Sequence, residues 1–475
     1  MSYKPPPTPF CGFRRDPESN SLKIAASAAH VLVSAPTETG KSRAVLAPAA
    51  VMWPGPAIIV SSKDDLFQLV MQRRYGPNAL IDLRPDYDAA YPEIKLMSFD
   101  PTATIKTPDQ AVTAANTMMA MSGVGLGGGA GGQSVDSGIW ESNTEGPLAA
   151  MLFAAAENQL GMGWVLLAVD NMEWITDDAR AGGAQLEPGW QLASELVQHM
   201  PLFRNALRRT LDMDPKQRDS IALTMRKAVM PWMRLSLRGD SFQPFTDDFL
   251  DDPNATLYVL SAQEGAVAGA AVTLLENVIK LWRAKTARKE MEHRLLIVID
   301  EAANVAPMPG LRRHIGEGRG LGVNLMLAVQ GSCQFDTVYG PAYANELRAI
   351  FPAALIMFGA PEMEMLRSAE EWSLETTRRQ ETFDQASGNK TLSSHLGSTL
   401  DYRRLLPPNK KTGRLLLRGT PGVQTELLDW SEFVPIYDDQ ILRLAQGRTA
   451  DRRHPTWRGL LERHRAALAS SRGPA

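Results

Sequence analysis

His30-Val31-Leu32-Val33-Ser34-Ala35-Pro36-Thr37-Glu38-Thr39-Gly40-Lys41-Ser42 joins a short apolar run to a loop ending in Gly-Lys-Ser. The apolar half has the composition of a buried strand. The second half reads as a phosphate-binding loop with one letter changed: backbone N–H groups converge on a phosphate, a lysine reaches the β/γ oxygens, and a hydroxyl holds Mg²⁺. Gly40, Lys41 and Ser42 fit the end of that pattern, while Ala35 stands where G-x-x-x-x-G-K-[ST] opens with glycine. The alternative is a bland surface loop, since such octapeptides recur by chance. Pro36, Thr37, Glu38, Thr39, Gly40, Lys41, Ser42 and Arg43 are therefore candidate nucleotide contacts that need a second half elsewhere in the chain.

The chain has 475 residues, 44% of them hydrophobic, enough for a large core and roughly two or three domains. Its net charge of −3 comes from 50 basic and 53 acidic side chains, so any nucleic acid must be met by local patches rather than by a global field. Two cysteines, Cys11 and Cys333, are too few for a disulfide framework or a zinc site and fit a reducing compartment. Residues 44–62 carry no charge, but Pro48, Pro54 and Pro56 fit a helix, a turn and a strand better than a membrane span. Met1–Arg15 is proline-rich and has no apolar core of a signal peptide. The chain as written reads as soluble, with no transmembrane segment.

Strand signals at 29–34, 57–60 and 94–97 alternate with helical ones, which predicts a parallel α/β sheet. From Thr107 to Met233 they give way to helical patterns broken by the glycine-rich stretch Gly123–Gly132, so an all-α insertion is expected. Sheet signals return at 255–260, 295–299, 323–329 and 353–358, then at 414–418 and 424–428 after a polar loop over 376–398. The expected organisation is an N-terminal extension (1–28), a sheet domain in two parts (29–104 and 235–440), an all-α insertion (105–234) and a basic tail (441–475).

Asp300-Glu301 follows the apolar run Leu295–Ile299 directly, at the strand end where parallel sheets place ligands. An aspartate there can hold Mg²⁺ together with Ser42, and the glutamate can polarise water for attack on a γ-phosphate. Alternatively, both acids merely cap a helix starting at Ala302. Gln330 ends the next strand, where its amide can bond a phosphate or simply satisfy backbone groups. Arg319, in Gly318-Arg319-Gly320, is either an exposed loop arginine or one that reaches a phosphate in a neighbouring subunit.

Taken together, the segment 29–42, Trp53-Pro54-Gly55-Pro56-Ala57, Ser61-Ser62-Lys63-Asp64-Asp65-Leu66, Trp140, Leu296–Pro309, Gly318–Val323 and Ala328-Val329-Gln330 resemble the type IV secretion coupling proteins, the TraG/TraD-like conjugative DNA-transfer ATPases, in their actinobacterial-type form. That family commonly has Ala-Pro-Thr-Gly-x-Gly-Lys, so Glu38, and not Ala35, is the departure. The resemblance implies a RecA-like P-loop NTPase domain, mostly parallel in its sheet, interrupted by an all-α domain. It implies ATP and Mg²⁺ as cofactors, with phosphate at Lys41 and Ser42, metal at Ser42 and Asp300, Glu301 as catalytic base, Gln330 as sensor and Arg319 as a trans-acting finger. It also implies homo-oligomers, hexamers when active, at the cytoplasmic face of the cell membrane. Their partners would be inner-membrane secretion-channel components and a substrate of single-stranded DNA with its relaxase, or effector proteins. Family members usually begin with transmembrane helices, so the expectation is either a truncated sequence or a membrane partner.

Two segments are basic enough to meet DNA: 204–234, with Arg204, Arg208, Arg209, Lys216, Arg218, Arg226, Lys227 and Arg234, and the tail 443–472. A solvated amphipathic helix is the simpler explanation for the first, and a disordered tail for the second. Besides the coupling ATPase, two further readings stand: an FtsK/HerA-like double-stranded DNA translocase, and a nucleotide-binding receptor for secretion substrates with little turnover. Glu301 argues against the receptor, which has no need of a catalytic base.

Overall fold

The computed structural model describes residues 6–84, 91–122, 135–181, 183, 185–236, 242–262, 265–373, 375–383, 390–398, 400–446 and 460. Short β-branched and leucine-rich runs, buried on both faces, build the middle of a twelve-stranded sheet. In chain order the strands are β1 (Phe13–Arg15), β2 (Leu22–Ile24), β3 (Val31–Ser34), β4 (Ala57–Ser61), β5 (Asn78–Asp82), β6 (Lys95–Leu96), β7 (Thr256–Leu260), β8 (Leu295–Ile299), β9 (Val323–Val329) and β10 (Ala353–Met357). They are followed by β11 (Glu375–Phe383), β12 (Lys390–Ser398), β13 (Thr412–Leu417) and β14 (Val423–Glu426). Across the sheet the order is β2-β1-β14-β13-β10-β3-β9-β8-β4-β7-β5-β6.

From β10 to β6 every neighbouring pair is parallel, as the alternation of strand and helix predicts. The other edge, from β13 to β2, is antiparallel. Because successive side chains on a strand face opposite ways, β3 sends Leu32 to one core and Val31 and Val33 to the other. On the Leu32 face lie the helices 108–122, 135–157, 161–170, 201–211, 215–236 and 265–287, all sharing one hydrophobic cluster with the sheet. No strand interrupts the described residues between Leu96 and Thr256. The opposite face is closed by the helix Ala47–Met52 and the C-terminal helix Trp430–Ala445.

The uncharged window 44–62 resolves into the helix Ala47–Met52, a proline turn and β4. No helix among the described residues is long and apolar enough to cross a membrane. The expected polar loop at 376–398 is instead a hairpin: β11 pairs with β12 from Glu375↔Ser398 to Phe383↔Lys390, in a sheet of its own. Backbone pairing across this register holds it, without the apolar alternation that marks a half-buried strand. The glycine-rich stretch 123–132 lies outside the described residues, and so does most of the basic tail.

Candidate functional site

The phosphate loop leaves β3 one residue later than the motif suggests. Ala35 is still in the ladder, its N–H donating to Val329 O of β9 at 3.0 Å and its side chain fully buried. Positive φ comes only at Glu38 (60°) and Gly40 (83°). Ala35 therefore needs no glycine, whereas the Glu38 position is one that glycine adopts without strain. Thr39 Oγ1 donates to Pro36 O at 2.7 Å and closes the loop on itself. Beyond Lys41 a π-helical turn, Ser42–Leu46, leads into the helix Ala47–Met52.

Lys41 Nζ lies 3.2 Å from Asp300 Oδ1, and Ser42 Oγ donates to Asp300 Oδ2 at 3.0 Å. The Lys41 and Asp300 side chains are only 10% and 13% exposed, so solvent screens this contact weakly. Asp300 Oδ1 is nonetheless a buried oxygen without a hydrogen bond, because the lysine meets it at ion-pair distance but without hydrogen-bond alignment. An underused carboxylate oxygen beside a serine hydroxyl is the donor set of a small hard cation that keeps waters and takes its remaining ligands from phosphates. No group of three or more His, Cys, Asp or Glu side chains that could hold a metal occurs among the described residues. Ser42 and Asp300 are thus the protein groups that fit Mg²⁺ here.

Glu301 bears on the helix-cap reading of the acidic pair. It precedes the short helix Ala302–Val305 but makes no side-chain cap, and its backbone is left-handed, at φ 52° and ψ 48°. Holding a non-glycine residue there costs on the order of 1–3 kcal/mol, a strain that collects at functional sites. Asp300, for its part, is engaged across the sheet by Lys41 and Ser42.

Strand β9 lies between β3 and β8, so Gln330 emerges between the phosphate loop and Asp300. Its N–H donates to Gln334 Oε1 at 2.9 Å. Lys41, Ser42, Asp300, Glu301 and Gln330 thereby share the carboxyl edge of the parallel strands. Arg319 does not join them. It sits on the turn Gly318–Leu321 before β9, at the amino edge, about 20 Å from Gln330 at the usual rise of about 3.3 Å per residue. At that edge His30, fully buried, accepts from Leu325 N at Nδ1 (3.2 Å) and lies 3.3 Å from Gly318 O at Nε2. Burial pushes the His30 imidazole down to about 4, opposed by its bond to Gly318 and assisted by Arg294 and His314.

Arg43 turns its guanidinium to Asp429, with Nε and NH2 2.9 and 3.0 Å from the two carboxylate oxygens. Asp429 caps the helix Trp430–Ala445 through a capping box, and the hydrogen bond from Arg43 holds its carboxyl well below the usual range. The pair ties the loop's helix to the C-terminal helix, a contact across 386 positions that no local pattern announces. The basic residues of 204–234 lie on amphipathic helices that bury Phe203, Leu207, Ile221 and Met225, with Arg226 paired to Asp170 at 2.6 Å.

This topology and this edge of the sheet define a RecA-like P-loop NTPase fold. Residues 294–411 match the family model described as "TraM recognition site of TraD and TraG". Among solved structures, the unbound conjugative coupling protein TrwBdeltaN70 superposes with a TM-score of 0.53 at 17% identity over 84% of each chain. TrwB in complex with a non-hydrolysable ATP analogue, and TrwB with ADP and Mg²⁺, each give 0.51 at 17% identity over 84% of this chain and 85% of theirs. No curated protein sequence matches. The resemblance read from the sequence is borne out by a family-model match over residues 294–411 and by a fold shared with the coupling protein TrwB.

Proposed function

We propose that the chain is a Mg²⁺-dependent ATPase of the coupling-protein type, which moves single-stranded DNA with its attached relaxase, or effector proteins, into a type IV secretion channel. The convergence of Lys41 and Ser42 on Asp300, with Glu301 held in strain beside them, carries this reading. The TrwB structures with a nucleotide analogue and with ADP and Mg²⁺ support the same ligands here.

Lys41 exchanges the Asp300 carboxylate for the β/γ oxygens of ATP, and the loop N–H groups bind the phosphates. Ser42 and Asp300 would hold Mg²⁺, which when bound would supply charge neutralisation at the phosphates. Glu301 orients a water and takes its proton, while Gln330 reads the γ-phosphate. Arg319 is too far from its own loop to act there, which favours a role across a subunit boundary in a ring, hexameric when active. The domain division expected from the sequence, two sheet segments around an all-α insertion, is part of this proposal.

Steady-state ATP hydrolysis with Mg²⁺ and single-stranded DNA tests it. Lys41→Ala is expected to lose activity by on the order of a hundredfold or more. A wild type that binds ATP without turning it over would favour the receptor reading.

A further inference from the structure

One buried carboxyl group lies beneath the phosphate loop and has no part in the chemistry above. Glu362 is 4% exposed. Its Oε1 accepts from Ser34 Oγ at 2.7 Å and from Ser332 N at 2.6 Å, and its Oε2 accepts from Ser332 Oγ at 2.7 Å. Ser34 is the last residue of β3, and Ser332 stands two residues beyond Gln330; they are 1% and 4% exposed. Since β10, β3 and β9 are adjacent, Glu362 reaches from the turn after β10 across the end of the phosphate-loop strand to the end of the sensor strand.

The turn itself is fitted to both sides. A Cβ on Gly331 would come within 2.9 Å of Pro361 Cγ, and a Cβ on Gly359 would stand 3.6 Å from Pro36 Cγ of the loop. Beyond Ser332 the chain of bonds continues: Arg348 donates from Nε to Ser332 Oγ at 2.9 Å and from NH2 to Ser332 O at 3.0 Å, and it pairs with Asp336. A buried polar network in which each member is satisfied behaves as a rigid unit, so displacement of one member is felt by the others.

We propose that Glu362 is a positioning residue that couples the phosphate loop to the sensor: nucleotide at the loop shifts Ser34, and Ser34–Glu362–Ser332 carries the shift to Gln330 and the segment behind it. This rests on the nucleotide site proposed above. Mere packing would hold the two strand ends together without making one respond to the other.

The chain carries its own reporter. Cys333 is exposed and adjoins Ser332, while Cys11, the other of its two cysteines, is buried, with its thiol pushed up to about 12. Thiol labelling of the full chain with Ellman's reagent therefore reads Cys333, with and without ADP and Mg²⁺, while calorimetry measures ADP binding separately. In the wild type the nucleotide is expected to change the labelling rate by about fivefold. Ser34→Ala, which removes one leg and little volume, should keep its ADP affinity within about threefold yet lose most of that response, and Ser34→Ala/Ser332→Ala should be no worse than either single change, because both cut one path. A full response in Ser34→Ala, or none in a wild type that binds ADP, overturns the coupling and leaves the nucleotide site standing. Absence of ADP binding to the wild type overturns the nucleotide site, and the coupling falls with it.

Discussion

Ser42 and Asp300 stand 258 positions apart in the chain and meet through a hydrogen bond of 3.0 Å. They meet because β3 and β8 run parallel with a single strand, β9, between them, so both strand ends reach the same edge. Asp300→Asn preserves shape but removes the charge. ADP affinity in the wild type should rise with Mg²⁺, and in Asp300→Asn calorimetry should find that dependence reduced by about tenfold. An undiminished Mg²⁺ effect would show that the metal is held elsewhere.

His30 makes the fold sensitive to acid. Its folded value, near 4, lies below the ordinary histidine value of 6.5, so the unfolded chain holds the extra proton between those limits. The stabilisation is complete above about pH 6.5, declines as the pH falls toward 4, and changes no further below that. The loss at this one site is on the order of 3 kcal/mol at most. Urea midpoints from pH 7 to pH 4.5 should fall more steeply in the wild type than in His30→Gln, which cannot titrate. Parallel curves would remove His30 from the account.

Much of the central sheet is legible in the sequence because β3, β4, β7, β8, β9 and β10 are predominantly apolar runs. Strand β5 is not, since Asn78 and Asp82 leave only Ala79-Leu80-Ile81 apolar, and the short strands β1 and β2 hide within a polar extension. The hairpin β11–β12 is missed for a related reason: its sequence is mainly polar, with no sustained apolar alternation, and its two strands pair only with each other. In the candidate site, the shared edge of Lys41, Ser42, Asp300, Glu301 and Gln330 is readable because each follows a recognisable strand or motif. Glu362 and Asp429 act through partners 328 and 386 positions away, and no spacing along the chain records that.

Glu38 supplies a test of the loop's backbone. It is exposed, with φ 60°, so glycine relieves left-handed strain and removes a carboxylate near a polyanion. At an exposed site the charge effect is only about 0.5 kcal/mol, or about twofold in affinity. Glu38→Gly is expected to bind ADP slightly more tightly, with a melting temperature no lower than that of the wild type. A marked loss of either would assign the Glu38 side chain a positive role.

Arg319 lies at the sheet edge opposite its own phosphate loop, so any action on a phosphate would require a neighbour. Arg319→Ala and Glu301→Gln subunits, each inactive alone, should regain part of their hydrolysis when mixed, since mixed boundaries can pair an intact Arg319 with an intact Glu301. No recovery at any ratio, with co-assembly confirmed by light scattering, would count against the trans assignment.

Glu301→Gln tests the central claim most directly, with ATP binding and turnover measured side by side on the same preparation. The account predicts ATP affinity close to that of the wild type and hydrolysis lower by on the order of a hundredfold or more. Hydrolysis at the wild-type rate in Glu301→Gln would contradict it, because the strained glutamate at the end of β8 would then have no part in the chemistry.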